Sequence, residues 1–266
     1  MKPLDETEDA RLRAQLFLRA VLPLVRVVAQ HHRPTRSRLG ALKARVQFTV
    51  PSENLSATLV LSEGTVDIHT DVEPHPSLRF RFRSLASLNA FFSGRPALPM
   101  VWGWWRPVLL LRVVQLLWVL RLVTPGVRTK STEQSTLRVR LMVTLIARSL
   151  TALARAGHQG MSRLVAQSPD RVYQWSVGID TAEPIAAYIR MHAGRIKFGQ
   201  GVCPHRAPFV HYAFRDPAAF LETIDETDSQ MDGLRSGRFT THGSPEYTRK
   251  IALMTQRVDA LLTAEM

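Results

Sequence analysis

Cysteine is almost missing. Cys203 is the only one in 266 residues, so no disulfide can form within the chain and nothing argues for an oxidising compartment. Acidic side chains are also scarce: 22 aspartates and glutamates face 35 lysines and arginines, for a formal net charge of +13. That excess, mostly arginine, favours anionic partners such as nucleic acid, anionic lipid headgroups or an acidic protein. The basic residues are spread along the chain, which is also what general arginine-rich usage would produce. No G-x-S-x-G elbow, G-x-x-x-x-G-K-[ST] loop or G-x-G-x-x-G turn occurs. Serine-hydrolase, nucleoside-triphosphate and dinucleotide chemistry therefore lack their usual frames. The GQG at 199–201 is too short for a phosphate loop. A lipidation motif is absent, and the start MKPLDETEDA is acidic and polar where a secretory leader is basic and then apolar. A cytoplasmic protein is expected, with a peripheral membrane contact left open.

Metal chemistry needs three or four converging ligands. The candidates are His192, Cys203, His205, His211 and His242. Cys203 and His205 flank a proline at C-x-H spacing, but no second pair follows at zinc spacing, so no metal and no cofactor is expected. The carboxylates Asp225 and Asp228 in DETDS read as a solvated helix end in preference to an acid/base pair. The chain is thus expected not to be an enzyme.

What is present is a core and a repeat. Hydrophobic residues make up 45% of the chain, enough for two cores of about 130 residues each. LSATLVLSEGTVDI (55–68) and IAAYIRMHAGRIKF (185–198) are each an alternating run, a glycine turn and a second alternating run, the pattern of a β-hairpin. Gly64 and Gly194 hold the turns, 130 positions apart. SLRFRFRSLASL (77–88) and FVHYAFRDPAAF (209–220) each read as a strand ending at Arg83 or Arg215, 132 apart, then Ser84 or Asp216 as helix N-cap. Gly103 and Gly243, 140 apart, each precede a proline-started helix. Long helical patterns lead each half, over about 9–30 and 133–156, with Pro23 expected to kink or divide the first. Strand candidates KARVQFTV and RVYQWSV follow, in which Val46, Phe48 and Val50, and Tyr173, Trp175 and Val177, alternate. The expected division is 1–125, a polar linker over 126–136, and 137–266.

This order of elements resembles the sterol carrier protein-2 family. The second half carries the resemblance best, in the hairpin YIRMHAGRIKFGQG, the strand-to-helix step HYAFRDPAAFLETI, the run MDGLRSGRFTTHG and the closing helix EYTRKIALMTQRVDALL. It spans about 171–262, and more weakly 43–123, where the extra helix before Gly103 is missing. The resemblance implies an α+β fold of two tandem sterol-carrier-like domains, each a mainly antiparallel sheet of about five strands covered by helices. It also implies non-catalytic binding of an apolar lipid (sterol, fatty acyl or isoprenoid) between sheet and C-terminal helix. On that basis Phe209, Tyr212, Phe214, Phe220, Ile224 and Met231, with Ile251 and Met254 from the closing helix, are the expected lipid contacts.

Two features of the first half stand apart. In RFRFR, alternation puts Arg79, Arg81 and Arg83 on one strand face and Phe80 and Phe82 on the other. The arginines fit an anionic headgroup or simply a solvated face. Nucleic acid is disfavoured, because a base held by those arginines cannot also stack on phenylalanines behind the sheet. The run MVWGWWRPVLLLRVVQLLWVLRLV holds Trp102, Trp104, Trp105 and Trp118 and, from Pro107, is apolar apart from Arg112, Gln115 and Arg121. It is short for a membrane span, and each central arginine would cost roughly 2.5–3.5 kcal/mol there. A helix buried against a sheet or second subunit, or one lying at a membrane surface, are the remaining readings. The alternative function is therefore a structural or partner-binding protein, or a homodimer, that uses 102–123 as its interface with a collapsed pocket.

Overall fold

The computed structural model describes residues 6–263 apart from 41, 125, 128, 130, 169, 180, 182 and 226–236. The fold is α+β. Two five-stranded, mainly antiparallel sheets each carry helices, and the chain divides into two compact units, 1–121 with 259–266, and 122–258.

In the first unit α1 (Glu6–Leu16) runs through a short π-helical stretch, Phe17–Val21, into α2 (Leu24–His31), then α3 (Arg33–Leu39). Pro23 divides the long leading pattern: it has no N–H to donate to the preceding turn. Strands β1 (Lys43–Val50), β2 (Leu55–Ser62), β3 (Thr65–His69), β4 (Leu78–Arg81) and β5 (Met100–Trp102) form the sheet, with α4 (Leu85–Phe92) before β5 and α5 (Pro107–Val119) after it. In the second unit α6 (Thr132–Arg155) and α7 (Gln159–Ala166) precede β6 (Arg171–Val177), β7 (Ile185–His192), β8 (Arg195–Gln200) and β9 (Val210–Phe214). The units's remaining elements are α8 (Pro217–Asp225), β10 (Phe239–Gly243) and α9 (Pro245–Thr263). Helix α6 starts at Thr132, capped by Ser131, so it takes in residues that the polar composition reads as linker.

The two sheets have one topology. The orders are β3-β2-β1-β4-β5 and, read from the matching edge, β8-β7-β6-β9-β10. Every pairing is antiparallel except β1 with β4 and β6 with β9. Phe48 sits opposite Phe80 and Ala57, and Trp175 sits opposite Tyr212 and Ala187. Both hairpin turns put two residues at positive φ, Glu63 and Gly64, then Ala193 and Gly194. That is the turn whose twist matches a right-handed strand pair. Ser84 forms a reciprocal cap with Ser87, and Asp216 accepts from the Ala219 N–H at 2.8 Å. Both strand-to-helix steps end the strand earlier than the sequence suggests. β4 stops at Arg81 and β9 at Phe214, so Arg83 and Arg215 lie beyond the ladder.

Alternation gives each sheet one apolar face. In the first, Val46, Phe48, Val50, Leu59, Leu61, Leu78 and Phe80 are buried on one side. Phe48 stacks on Phe80 at 4.9 Å, and Phe92 of α4 bridges Phe48 and Phe17. Burying one such ring fully contributes about 1.5–3 kcal/mol. In the second, Tyr173, Trp175, Val177, Ile189, Val210 and Phe214 form the same layer.

Glycines 103 and 243 stand where the fifth strand leaves the sheet. Their φ values are +91° and +112°, and a Cβ there would lie 2.6 Å from the Ser77 carbonyl oxygen or 2.0 Å from that of Phe209. The backbones touch, which only glycine allows. Gly194 also has positive φ, but nothing lies within 4 Å of its absent Cβ. Gly194→Ala is expected to cost roughly 1–2 kcal/mol of conformational strain. Gly243→Ala adds a backbone collision to a strain of about 1–3 kcal/mol and should cost clearly more. Urea unfolding of both variants checks this; equal losses would remove the close-approach argument.

Candidate functional site

Two places concentrate side chains that could hold a ligand. The first is the layer on the apolar face of the second sheet, beneath α9. Trp175 and Tyr212 stack at 5.6 Å with planes 2° apart, and the Tyr212 hydroxyl donates to the Thr248 carbonyl of α9 at 2.9 Å. Phe209 meets Tyr173 and Tyr247 edge-on, with the Arg171 guanidinium 4.2 Å from both the Phe209 and the Tyr247 ring. Phe214 packs edge-on to Phe220 of α8 at 4.9 Å and stacks on Phe239 of β10. Burial pushes the Tyr212 and Tyr173 phenols up from their ordinary value, so both remain neutral donors.

Of the residues expected to contact lipid, Tyr212, Phe214, Phe220 and Ile251 are buried, and Phe209, Ile224 and Met254 are half-buried. Met231 lies outside the described residues. Met254 sits against Gly160 of α7, where an added Cβ would come within 3.2 Å of its methyl. Sequence reasoning missed Tyr173, Trp175, Phe239 and Tyr247 as members of this layer. The first two alternate in a strand whose parallel neighbour carries Tyr212, and that shared face was the available signal.

The opposite face of this sheet is polar. Gln174 Nε2 donates to the Ser176 hydroxyl at 3.0 Å, His211 Nε2 lies 3.0 Å from the same oxygen, and Gln174 Oε1 accepts from the Cys203 N–H at 3.1 Å. Ser176 is only 2% exposed, so a carbonyl substrate has no approach to its oxygen, and the Ser–His contact is not a nucleophile pair. Asp170 binds Arg190, Arg206 and His192 at this sheet's rim, and the Arg190 hydrogen bond holds its carboxyl below the usual range. Among the described residues no three His, Cys, Asp or Glu side chains gather as a metal-binding set. Cys203 is buried and forms no disulfide, and Asp225 holds Arg138 through both carboxylate oxygens at 2.7 and 2.9 Å. Asp225 is therefore an ion-pair partner; Asp228 lies outside the described residues.

The second place is a cleft of about 360 Å³ on the polar face of the first sheet, lined by Pro74, His75, Pro76, Ser77, Arg79, Trp102 and Arg106. Arg79 donates through Nε to Gln47 at 2.8 Å and through a terminal nitrogen to the Glu73 carbonyl at 3.1 Å, which fixes its guanidinium at the cleft wall. Arg81 and Arg83 are exposed, and only Arg79 of the three lines the cleft. Arg106 joins it because the chain turns at Gly103, where the Arg106 N–H donates to the Gly103 carbonyl at 3.0 Å. Nothing in the strand pattern pairs Arg79 with Arg106.

The tryptophan-rich run forms β5 and α5, followed by a 3-10 turn at Leu120–Val123. Leu109, Val113, Leu116 and Leu120 are buried, while Trp102, Trp104, Trp105 and Trp118 are exposed. The helix is thus covered on one side only. No described helix is long and apolar enough to cross a membrane.

No known family model matches the sequence, and no curated protein matches it. Among solved structures the chain is similar to sterol carrier protein 2 from Yarrowia lipolytica in its apo form. The TM-score is 0.34 and the identity 9%, over 47% of this chain and 93% of that one.

Burial, and then the neighbouring His242, lower the His211 pKa from its ordinary 6.5. The folded state therefore binds fewer protons than the unfolded state in acid. Stability from this residue is complete above pH ~6.5 and falls as the pH drops below it. Thermal melts should show a lower Tm at pH 5.5 than at pH 7.5, and His211→Gln should flatten that difference.

Proposed function

We propose that this chain is a non-catalytic lipid-binding protein built from two diverged copies of one α+β unit, with the working pocket in the second. The ligand is an apolar molecule of sterol, fatty acyl or isoprenoid type, taken up between the second sheet and α9. One observation carries the reading: α9 meets the aromatic face of the sheet at Tyr212 and Phe209, where the rings of Phe209 and Tyr247 are only half-buried. These are apolar surfaces that an inserted chain or ring system would cover, at roughly 25 cal/mol per Å². Of the polar atoms in the layer, the Tyr173 and Tyr212 hydroxyls already have partners in Ser168 and Thr248, and the buried Arg171 Nη1 is without one. The lining therefore suits a ligand that asks for few hydrogen bonds. The duplication is supported by the shared strand order, the matching hairpin turns and the paired glycines 103 and 243.

Protein purified under native conditions should carry lipid detectable by mass spectrometry and should bind fluorescent fatty acid or sterol probes. Ile224→Arg and Met254→Arg should each weaken probe binding at least about tenfold, some 1.4 kcal/mol, because a charge then faces the ligand. Tm measured on both variants separates loss of binding from loss of folding, since both side chains are half-buried. Absence of co-purified lipid together with absence of probe binding would overturn the reading.

A further inference from the structure

We propose that the first unit docks on an anionic membrane surface through the tryptophan-bearing side of β5 and α5. Apolar residues encircle α5, and the structure covers half of them. At 100° per residue, Leu109, Val113 and Leu116 share one side and are buried, while Val108, Leu111, Val114 and Trp118 fall on the other and are exposed. The preceding strand and turn add further exposed rings. Trp102, Trp104 and Trp105 are 67%, 69% and 57% exposed, and Trp102 and Trp105 meet edge-on at 5.7 Å. Exposed large apolar side chains concentrated in one segment like this mark a partner surface.

Charge identifies the partner. Residues 74–132 contain no aspartate or glutamate, yet they include Arg79, Arg81, Arg83, Arg95, Arg106, Arg112, Arg121, Arg128 and Lys130. Three of these arginines border the patch. Arg106 stands between Trp105 and Pro107 and lines the cleft with Arg79. Arg112 is tied to the Arg38 carbonyl at 2.6 Å, and the Arg121 guanidinium lies 4.4 Å over the Trp118 ring. A second copy related by a two-fold axis would set these arginines against their own copies. A nucleic acid would satisfy the arginines but leave Val108, Leu111 and Val114 in water. A bilayer with anionic headgroups meets both demands: indoles and aliphatic side chains enter the headgroup–acyl boundary, and guanidinium groups remain among the phosphates. A helix too short to span the membrane can lie in its plane.

This inference stands independently of whether the second unit holds a lipid. The full chain is mixed with vesicles of phosphatidylcholine alone or with about 30 mol % phosphatidylglycerol, and binding is followed by co-sedimentation and tryptophan emission. Four of the five tryptophans lie in the patch, and the fifth, Trp175, is buried, so a blue shift reports insertion there. Anionic vesicles should bind the protein at least about tenfold more tightly than neutral ones, and salt should weaken that binding. Trp104→Ser with Leu111→Glu, and separately Arg106→Gln with Arg121→Gln, should each reduce it about tenfold or more without lowering Tm, since none of these side chains is buried. Failure of the wild-type protein to bind anionic vesicles would overturn the proposal, as would equal binding by the variants. So would light scattering that shows a dimer dissociated by Leu111→Glu. Fatty acid probe binding that survives Trp104→Ser with Leu111→Glu reports the second unit.

Discussion

Each sheet has one apolar face, and covering that face is the constraint on which the rest of both units depends. Strand alternation places Val46, Phe48, Val50, Leu59 and Phe80 on one side of the first sheet, and Tyr173, Trp175, Val177, Ile189 and Phe214 on one side of the second. Neither face can be left in water. The helices leading each unit are therefore apolar where they meet the sheet, α2 at β3 and α6 along β7 and β8. The parallel pairing of β1 with β4 and of β6 with β9 requires a crossover, and this puts a long excursion on the polar side. Gly103 and Gly243 then let the fifth strand turn away within touching distance of the strand beside it.

The polar faces have their own logic. Gln47 and Gln174 occupy equivalent positions on the first strand of each unit, and both are buried. Each uses its side-chain carbonyl as an acceptor: from Arg79, its neighbour across β4, in one case, and from the Cys203 backbone N–H in the other. Removing such a partner would leave a buried acceptor unsatisfied, at a cost of about 1–3 kcal/mol. Arg138 is treated in the same way. Its side chain is 3% exposed, and it is satisfied by both oxygens of Asp225 and by the Leu122 carbonyl.

The same architecture leads to different surfaces in the two units. In the second, α6 packs along the sheet, and α9 meets its aromatic face at Tyr212 and Phe209. In the first, α5 is covered on one side only, and its other side keeps tryptophan, leucine and valine in water beside arginines.

Alternation and turn chemistry are local, so the amino-acid sequence by itself determined the hairpins at Gly64 and Gly194, the caps at Ser84 and Asp216, the break at Pro23 and the α+β class. Which residues meet across elements was settled only in the tertiary structure. Three arginines in RFRFR look alike as a string, yet Arg79 alone is drawn into a cleft, because Gln47 and the Glu73 carbonyl lie within its reach. Arg83 leaves the row because the ladder ends at Arg81. The layer around Tyr212 includes Tyr247 from a helix 35 residues further along, which no periodicity could pair with it. The run after Pro107 is apolar on all sides in the sequence; only packing decides that Leu109, Val113 and Leu116 face inward and Trp118 faces out. Period and propensity are properties of neighbours in the chain, whereas burial depends on what arrives from elsewhere.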